Sequence, residues 1–103
     1  MEWKDFSTGK ICPVCGLVLD FEPWTEGADS QEICPCCGVQ FGYYDSANSP
    51  EEVIKRWFDL RKKWIQGEMR WWSPSLREQP SNWNPNEQLK NVPKEFLSEG
   101  EKY

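Results

Sequence analysis

The chain of 103 residues contains no histidine, and none of its apolar runs approaches the roughly 20 residues needed to cross a bilayer. Without histidine there is neither a Cys2His2 metal site nor an imidazole general base. Residues Met1 to Phe6 lack the basic and apolar regions of a secretory signal. We therefore expect a cytoplasmic protein with no membrane span, in which cysteine thiols stay reduced.

Basic residues are absent between Ile11 and Ile54, and the whole chain carries a net charge of −5. Eight acidic residues lie in this stretch: Asp20, Glu22, Glu26, Asp29, Glu32, Asp45, Glu51 and Glu52. Seven basic residues follow: Lys55, Arg56, Arg61, Lys62, Lys63, Arg70 and Arg77. An acidic surface repels a phosphate backbone, so the cysteine-containing half does not suit nucleic acid. It is either a solubilising face or a surface that attracts a basic partner.

The five cysteines form two similar motifs and one extra thiol. Cys12 and Cys15 lie in Cys-Pro-x-Cys-Gly, and Cys34 and Cys37 repeat that motif after 18 intervening residues. Two cysteines three positions apart can bind one ion, and a second pair completes a tetrahedral shell. Proline sets the turn after the first ligand, and glycine tolerates the positive φ after the second. The spacing predicts one structural Zn²⁺ held by these four cysteines.

Other chemistries remain open for these motifs. A single Cys-Pro-x-Cys can be a thioredoxin-like dithiol, although the glycines after Cys37 do not favour the helix that stabilises its thiolate. Iron can occupy rubredoxin-like sites of the same design, whereas a catalytic zinc needs an open position that four thiolates do not leave. Cys36 is either a small packed hydrophobe or a reactive thiol, and no neighbouring base activates it.

The pattern predicts a small α+β protein, a zinc ribbon followed by an amphipathic helix and an irregular C-terminal segment. A strand over Leu17–Glu22 and a loop over Pro23–Ser30 are expected inside the ribbon. Ser49, Pro50 and Glu52 form the start signal of the helix, and Gly67 can end it. We expect a single domain over 1–103. Residues 1–48 form a ribbon with rubredoxin-like knuckles and short hairpins, and residues 49–67 form the helix. Residues 68–93 form an irregular Trp-rich segment that contains a short helix at Gln88–Asn91, and residues 94–103 form a polar tail.

Seven tryptophans are many for a chain of this length. Trp71, Trp72 and Trp83 lie in segments rich in proline, serine and asparagine, where they can clamp the irregular chain onto the domain. Tryptophan is also enriched at binding hot spots, so an exposed binding role is the second interpretation.

The sequence resembles a largely uncharacterised group of small bacterial proteins with Cys-Pro-Cys-Cys motifs. The resemblance is carried by the motif Cys34-Pro35-Cys36-Cys37 and by the segments Ile11–Gly16, Glu32–Asp45, the helix Trp57–Trp72 and Ser81–Pro85. The resemblance implies a zinc ribbon followed by a helix, in a bacterial cytoplasm. Small acidic proteins of this kind also resemble immunity proteins, which bind and block a toxin domain.

The sequence favours a non-catalytic zinc-binding interaction module over an enzyme, and its most specific version is an immunity-type inhibitor of a basic toxin domain. The candidate partner-binding residues are Asp20, Glu22, Glu26, Asp29, Glu32, Asp45, Trp71 and Trp72. A zinc ribbon that binds nucleic acid through Lys55–Arg77 is the first alternative, although the acidic half disfavours it. Thiol redox chemistry through Cys34, Cys36 and Cys37 is the second.

Overall fold

The computed structural model describes all residues, 1–103, and shows a small α+β protein with little regular secondary structure. Strands β1 (Trp24–Thr25) and β2 (Ala28–Asp29) form an antiparallel hairpin. Helix α1 spans Pro50–Gln66, and helix α2 spans Pro85–Leu89. Single 3-10 turns at Trp3–Asp5 and Lys94–Phe96 lie near the two termini. No helix combines the length and apolar character that crossing a bilayer requires.

Two loops of the same design, knuckle 1 (Ile11–Leu19) and knuckle 2 (Ile33–Phe41), occupy the first half of the chain. In knuckle 1 the N–H of Cys12 donates to the carbonyl of Leu17, and the N–H of Gly16 to that of Cys12. Knuckle 2 repeats both bonds at Cys34 and Gly38. Each knuckle is closed by one antiparallel bridge, Ile11 with Val18 and Ile33 with Gln40. The repeated motif therefore folds twice into one backbone shape.

The ribbon contains less strand than the sequence predicts. The expected strand over Leu17–Glu22 is wrong, because only Val18 bridges a neighbour there. The expected loop over Pro23–Ser30 instead contains the hairpin, with Trp24 opposite Asp29 and Thr25 opposite Ala28. Glu26 and Gly27 adopt positive φ angles at its two-residue turn, as hairpin turns of this length require. The composition of this segment predicted a turn, but it did not predict that the residues on either side of the turn pair as strands.

Helix α1 begins and ends where its start and stop signals predict. The hydroxyl of Ser49 accepts a hydrogen bond from the N–H of Glu52 at 3.2 Å, and Pro50 occupies the first turn. The Glu52 carboxylate accepts from the N–H of Asn48, one residue before the expected capping-box partner. Gly67 follows the last helical residue, Gln66. On the buried face of α1, Val53 and Trp57 pack against the aromatic core.

The C-terminal third is anchored to the ribbon. Helix α2 begins at Pro85, earlier than the expected Gln88–Asn91, because the side chain of Asn84 accepts from the N–H groups of Asn86 and Glu87. The segment 94–103 is not a free polar tail. Phe96 is buried against the Trp57 ring, and Glu101 reaches α1.

A buried carboxylate lies at the centre of the aromatic core. One oxygen of Asp45 accepts hydrogen bonds from the indole N–H groups of Trp24 (2.9 Å) and Trp57 (2.7 Å). Its other oxygen accepts from the N–H of Gly42 at 2.6 Å. The Phe6 ring stacks on Trp57 with a centroid distance of 5.3 Å. This core joins the N-terminus, the hairpin and α1.

Candidate metal centre

The four cysteines of the two knuckles converge on one point. The sulfurs of Cys12, Cys15, Cys34 and Cys37 all lie within 4.8 Å of one another. Across the knuckles, Cys12 Sγ is 3.7 Å from Cys37 Sγ, and Cys15 Sγ is 3.7 Å from Cys34 Sγ. A tetrahedral ion with bonds of about 2.3 Å to sulfur separates its ligand atoms by about 3.8 Å. The sulfur spacing therefore fits a single tetrahedral metal ion.

The glycine after the second cysteine of each knuckle is required by the backbone conformation and by the close packing around it. Gly16 and Gly38 have φ angles of +85° and +80°, in the left-handed region that side chains rarely adopt. A Cβ atom on Gly16 would lie 2.1 Å from the carbonyl oxygen of Gln88 in α2. One on Gly38 would lie 2.7 Å from the indole ring of Trp72. The C-terminal segment is therefore packed directly on the cysteine loops.

Three of the four converging thiols are buried and that of Cys37 is partly buried, and desolvation disfavours their thiolate forms. Burial raises the pKa of Cys12, and raises the pKa values of Cys15 and Cys37 well above the usual range. Burial also opposes ionisation of Cys34, but hydrogen bonds from the Cys12, Cys15 and Cys37 thiols together outweigh it and lower its pKa. Thiolate is the form that ligates a metal ion, so a divalent cation bound here displaces the thiol protons that burial favours.

The carbonyl groups of the two knuckles are bound by different donors at equivalent positions. In knuckle 1, the guanidinium of Arg61 donates to the carbonyls of Pro13 and Val14, both at 3.0 Å. In knuckle 2, the N–H groups of Ser73 and Trp72 donate to the carbonyls of Pro35 and Cys36, both at 2.9 Å. Pro35 and Cys36 follow Pro13 and Val14 by the interval that separates Cys34 from Cys12. Thus α1 supports one knuckle and the segment after it supports the other.

Arg61 also holds the C-terminal segment. Its Nη1 is 3.0 Å from the Glu101 carboxylate, and its Nη2 donates to the carbonyl of Phe96. The side chain is fully buried, so Arg61 does not belong to the basic surface that the sequence suggested. Its place in the sequence carried a signal, because Arg61 follows Trp57 by one helical repeat and therefore lies on the apolar stripe of α1.

A second support extends from α2 to the cysteines. Gln88 is buried, and its amide donates to the carbonyl of Cys15 at 3.1 Å and to the sulfur of Cys36 at 3.3 Å. The amide oxygen of Gln88 accepts from the indole N–H of Trp83. Nothing in the local sequence indicated that this glutamine contacts the cysteine loops, since Cys15 and Cys36 are more than 50 residues away.

Cys36 is not one of the converging ligands. Its side chain is buried in the core cluster, and its hydrogen-bond partner is the Gln88 amide. This environment agrees with the interpretation of Cys36 as a small packed thiol. Cys36 therefore joins the metal cluster to the C-terminal segment through packing and one weak hydrogen bond.

The predicted partner-binding residues separate into exposed and buried sets. Four carboxylates are exposed: Asp20, Glu22, Glu26 and Glu32. Asp29 is half-buried beside Gly42. Asp45 is not on the surface, because both of its oxygens are used inside the core. Trp71 is also buried, against Trp83 and with its indole N–H on the carbonyl of Arg77, whereas Trp72 is 54% exposed.

The predicted basic surface loses one of its members, because Arg61 is buried. Arg77 stays exposed, and its guanidinium donates to the carbonyl of Val18 at 2.8 Å. On α1, Lys55 and Arg56 share a shallow surface depression with Glu52 and Asp59, so charges of both signs alternate there. A groove of one positive sign is therefore not present on this helix face.

The fold and the cysteine geometry define a small α+β protein in which two zinc-ribbon-like knuckles bring four cysteines into an arrangement that fits a metal ion. The chain is similar to the uncharacterized protein YoaQ of Bacillus subtilis (strain 168), with 33% identity over 67 residues. The match covers 57% of this chain and 57% of that protein. No protein-family model and no solved structure matches the chain.

Proposed function

We propose that this protein is a zinc-stabilised, non-catalytic module that binds another protein. The convergence of the four sulfurs of Cys12, Cys15, Cys34 and Cys37 within 4.8 Å carries the metal-binding part of this proposal. Thiolate ligands in tetrahedral arrangement are typical of zinc, which binds more tightly than ferrous iron to such sites. When bound, the ion supplies cross-links between the two knuckles.

Two features favour a structural ion over a catalytic one. Four protein sulfurs complete the tetrahedral shell and leave no position for water or substrate. The buried carboxylate of Asp45 is engaged by two indole N–H groups and one backbone N–H, so it is not available as a general base. The zinc centre therefore acts by holding the surface of the ribbon in one shape.

The acidic surface of the ribbon favours a binding partner with a basic surface. Asp20, Glu22, Glu26 and Glu32 are exposed, and none of them forms an ion pair within the protein. Clustered charge of one sign accelerates association with a partner of the opposite sign and discriminates among partners. In its most specific form, the protein is an immunity-type inhibitor that covers the basic active surface of a bacterial toxin domain in the cytoplasm.

Native mass spectrometry of protein purified gently from its own host tests both parts. We expect the mass of the chain plus one zinc, together with a stoichiometric protein partner that dissociates as salt concentration rises. The variant Glu22→Lys with Glu26→Lys should retain the zinc and lose the partner. A chain without metal that carries a disulfide would instead support redox chemistry, and retention of nucleic acid in place of protein would support the nucleic-acid alternative.

A further inference from the structure

A groove beside the metal centre combines an apolar floor, two free carboxylates and an unpaired backbone edge. Its volume is about 470 Å³, within the range of roughly 300–1,000 Å³ typical of ligand pockets. Its apolar lining is contributed by both knuckles and by the segment after α1: Leu19, Phe21, Ile33, Pro35 and Leu76. Asp20, Glu32 and Arg77 complete the lining. Leu76 is 59% exposed, so the apolar surface is open to solvent.

The backbone of Ile33 presents an open strand edge to this groove. Around the Ile33–Gln40 bridge, the hydrogen bonds are made by the flanking residues: Cys34 donates to Val39, and Phe41 donates to Glu32. In such an antiparallel pair, the N–H and C=O groups of the central residues point away from each other, toward the outer edges. Neither group of Ile33 makes a hydrogen bond within the protein. An added strand can bind to both of them.

The groove has a sign of charge as well as a shape. The carboxylates of Asp20 and Glu32 are exposed and make no hydrogen bond within the protein, and the exposed guanidinium of Arg77 donates to the carbonyl of Val18 and keeps its positive charge. A second cavity of about 480 Å³, near the C-terminus, is lined by Lys90, Lys94 and Lys102 and by one carboxylate, Glu101, so its net charge is positive. Two carboxylates against one guanidinium make the net charge of the first groove negative, and basic side chains suit it.

From these observations we propose that the groove binds an extended protein segment in which apolar and basic residues alternate. The segment pairs with the backbone of Ile33 as an additional antiparallel or parallel strand. Its apolar side chains contact Phe21 and Leu76, and its basic side chains meet Asp20 and Glu32. Alternation follows from strand geometry, since successive side chains point to opposite faces. This inference rests on the proposed function and names the docking surface and the chemistry of its partner.

Amide NMR titration of the zinc-bound protein with a capped hexapeptide of alternating valine and lysine tests the groove directly. We expect saturable shifts at Phe21, Ile33 and Leu76, and none around Lys94. An otherwise identical peptide N-methylated at alternate residues keeps its charge and loses strand hydrogen bonds, so it should bind about tenfold more weakly. A valine–glutamate hexapeptide should leave the groove resonances unchanged.

Matched charge-reversal variants separate the groove from the other acidic residues of the molecule. Asp20→Lys with Glu32→Lys should weaken binding of the valine–lysine peptide by about tenfold or more, because like charges then face each other. Glu95→Lys with Glu99→Lys makes the same change in net charge at two exposed positions outside the groove and should preserve the affinity. The proposal is wrong if both variants lose affinity equally or if the peptide shifts resonances elsewhere. It is also wrong if the groove resonances shift with protein concentration alone, because the occupant is then a second copy of the protein.

Charge reversal at Asp20 and Glu32 and charge reversal at Glu22 and Glu26 together distinguish the two proposals. If the host partner remains bound to Asp20→Lys with Glu32→Lys and is lost from Glu22→Lys with Glu26→Lys, the interaction function stands and the groove assignment is wrong. If the peptide binds the groove while native mass spectrometry finds no protein partner, the groove is correct as a surface and the proposed function fails.

Discussion

Arg61 and Glu101 form a buried ion pair across 40 residues of sequence, with Nη1 3.0 Å from Oε1 and side-chain exposures of 0% and 7%. The same guanidinium binds the carbonyls of Pro13, Val14 and Phe96. One side chain therefore connects the helix, the first cysteine loop and the C-terminal segment. A buried pair of this kind is costly to break, because the remaining partner keeps a desolvated charge.

Arg61→Met and Glu101→Gln should each reduce the free energy of unfolding by about 3–5 kcal/mol. Arg61→Lys should be almost as harmful as Arg61→Met, since a single ammonium cannot reach four acceptors that a planar guanidinium binds together. Denaturant unfolding with saturating zinc measures these changes. Glu99→Gln, at an exposed neighbouring position, is the matched control and should change stability by less than about 0.5 kcal/mol.

Metal content should follow the converging sulfurs and not the total cysteine count. Cys12→Ser or Cys37→Ser should lose stoichiometric zinc, whereas Cys36→Ala should retain it and cost only about 1 kcal/mol for the lost contact with Gln88. Chelator should unfold the ribbon of the unmodified protein, because metal binding and folding are coupled in small domains. Elemental analysis and circular dichroism provide the readouts. Loss of zinc from Cys36→Ala would place the fifth sulfur in the site.

The buried carboxylate of Asp45 should tolerate no isosteric replacement. Asp45→Asn puts an amide donor where Gly42, Trp24 and Trp57 all supply donors, so at least one N–H group loses its acceptor. We expect a loss of about 2 kcal/mol or more. Tryptophan fluorescence during denaturant unfolding monitors it, since two indoles report on this position. Asp59→Asn, exposed and without hydrogen bonds, should be neutral, and a neutral Asp45→Asn would show that the carboxylate does not organise the core.

Replacing glycines by alanine should separate backbone strain from steric overlap. Gly9 has a φ angle of +65° with open space around it, so Gly9→Ala should cost about 1–2 kcal/mol for the left-handed conformation alone. Gly16→Ala carries the same strain and also collides with the Gln88 carbonyl at 2.1 Å. We expect Gly16→Ala to cost about 2 kcal/mol more than Gly9→Ala in thermal or denaturant unfolding. Equal costs would mean that α2 does not press on knuckle 1.

Tyr103 should be a tyrosine that ionises late in alkaline titration. The pKa of Tyr103 is raised from 10.0 to about 12. Partial burial is the largest cause, and the hydrogen bond that its hydroxyl donates to the Glu101 carboxylate is the second. The folded state therefore holds this proton more tightly than the unfolded chain. The stabilisation is fully present below pH 10.0 and is lost as the pH rises toward 12. Ultraviolet absorbance of phenolate measures the titration, and Tyr103→Phe should remove the latest step without changing the earlier ones.

The metal ligands were predictable from sequence because their geometry is local. Two cysteines three positions apart, with proline between them and glycine after, specify a loop that presents both sulfurs on one side. The start and end of α1 were also predictable, since capping depends on residues such as Ser49 and Gly67 within one turn of the helix end. The sequence by itself therefore determined the two cysteine loops and the main helix, and only the tertiary structure brings the four sulfurs together.

Only the tertiary structure decided which charged and aromatic residues are on the surface. Asp45, Arg61 and Trp71 belong to types that the sequence pattern placed in binding surfaces, yet all three are buried. Their partners are distant in the chain: Arg61 bonds to Pro13, and Gln88 to Cys15. The roles of such residues depend on which segments pack together, because desolvating a polar group is favourable only where tertiary contacts supply its partner. Local residue spacing contains no information about that partner.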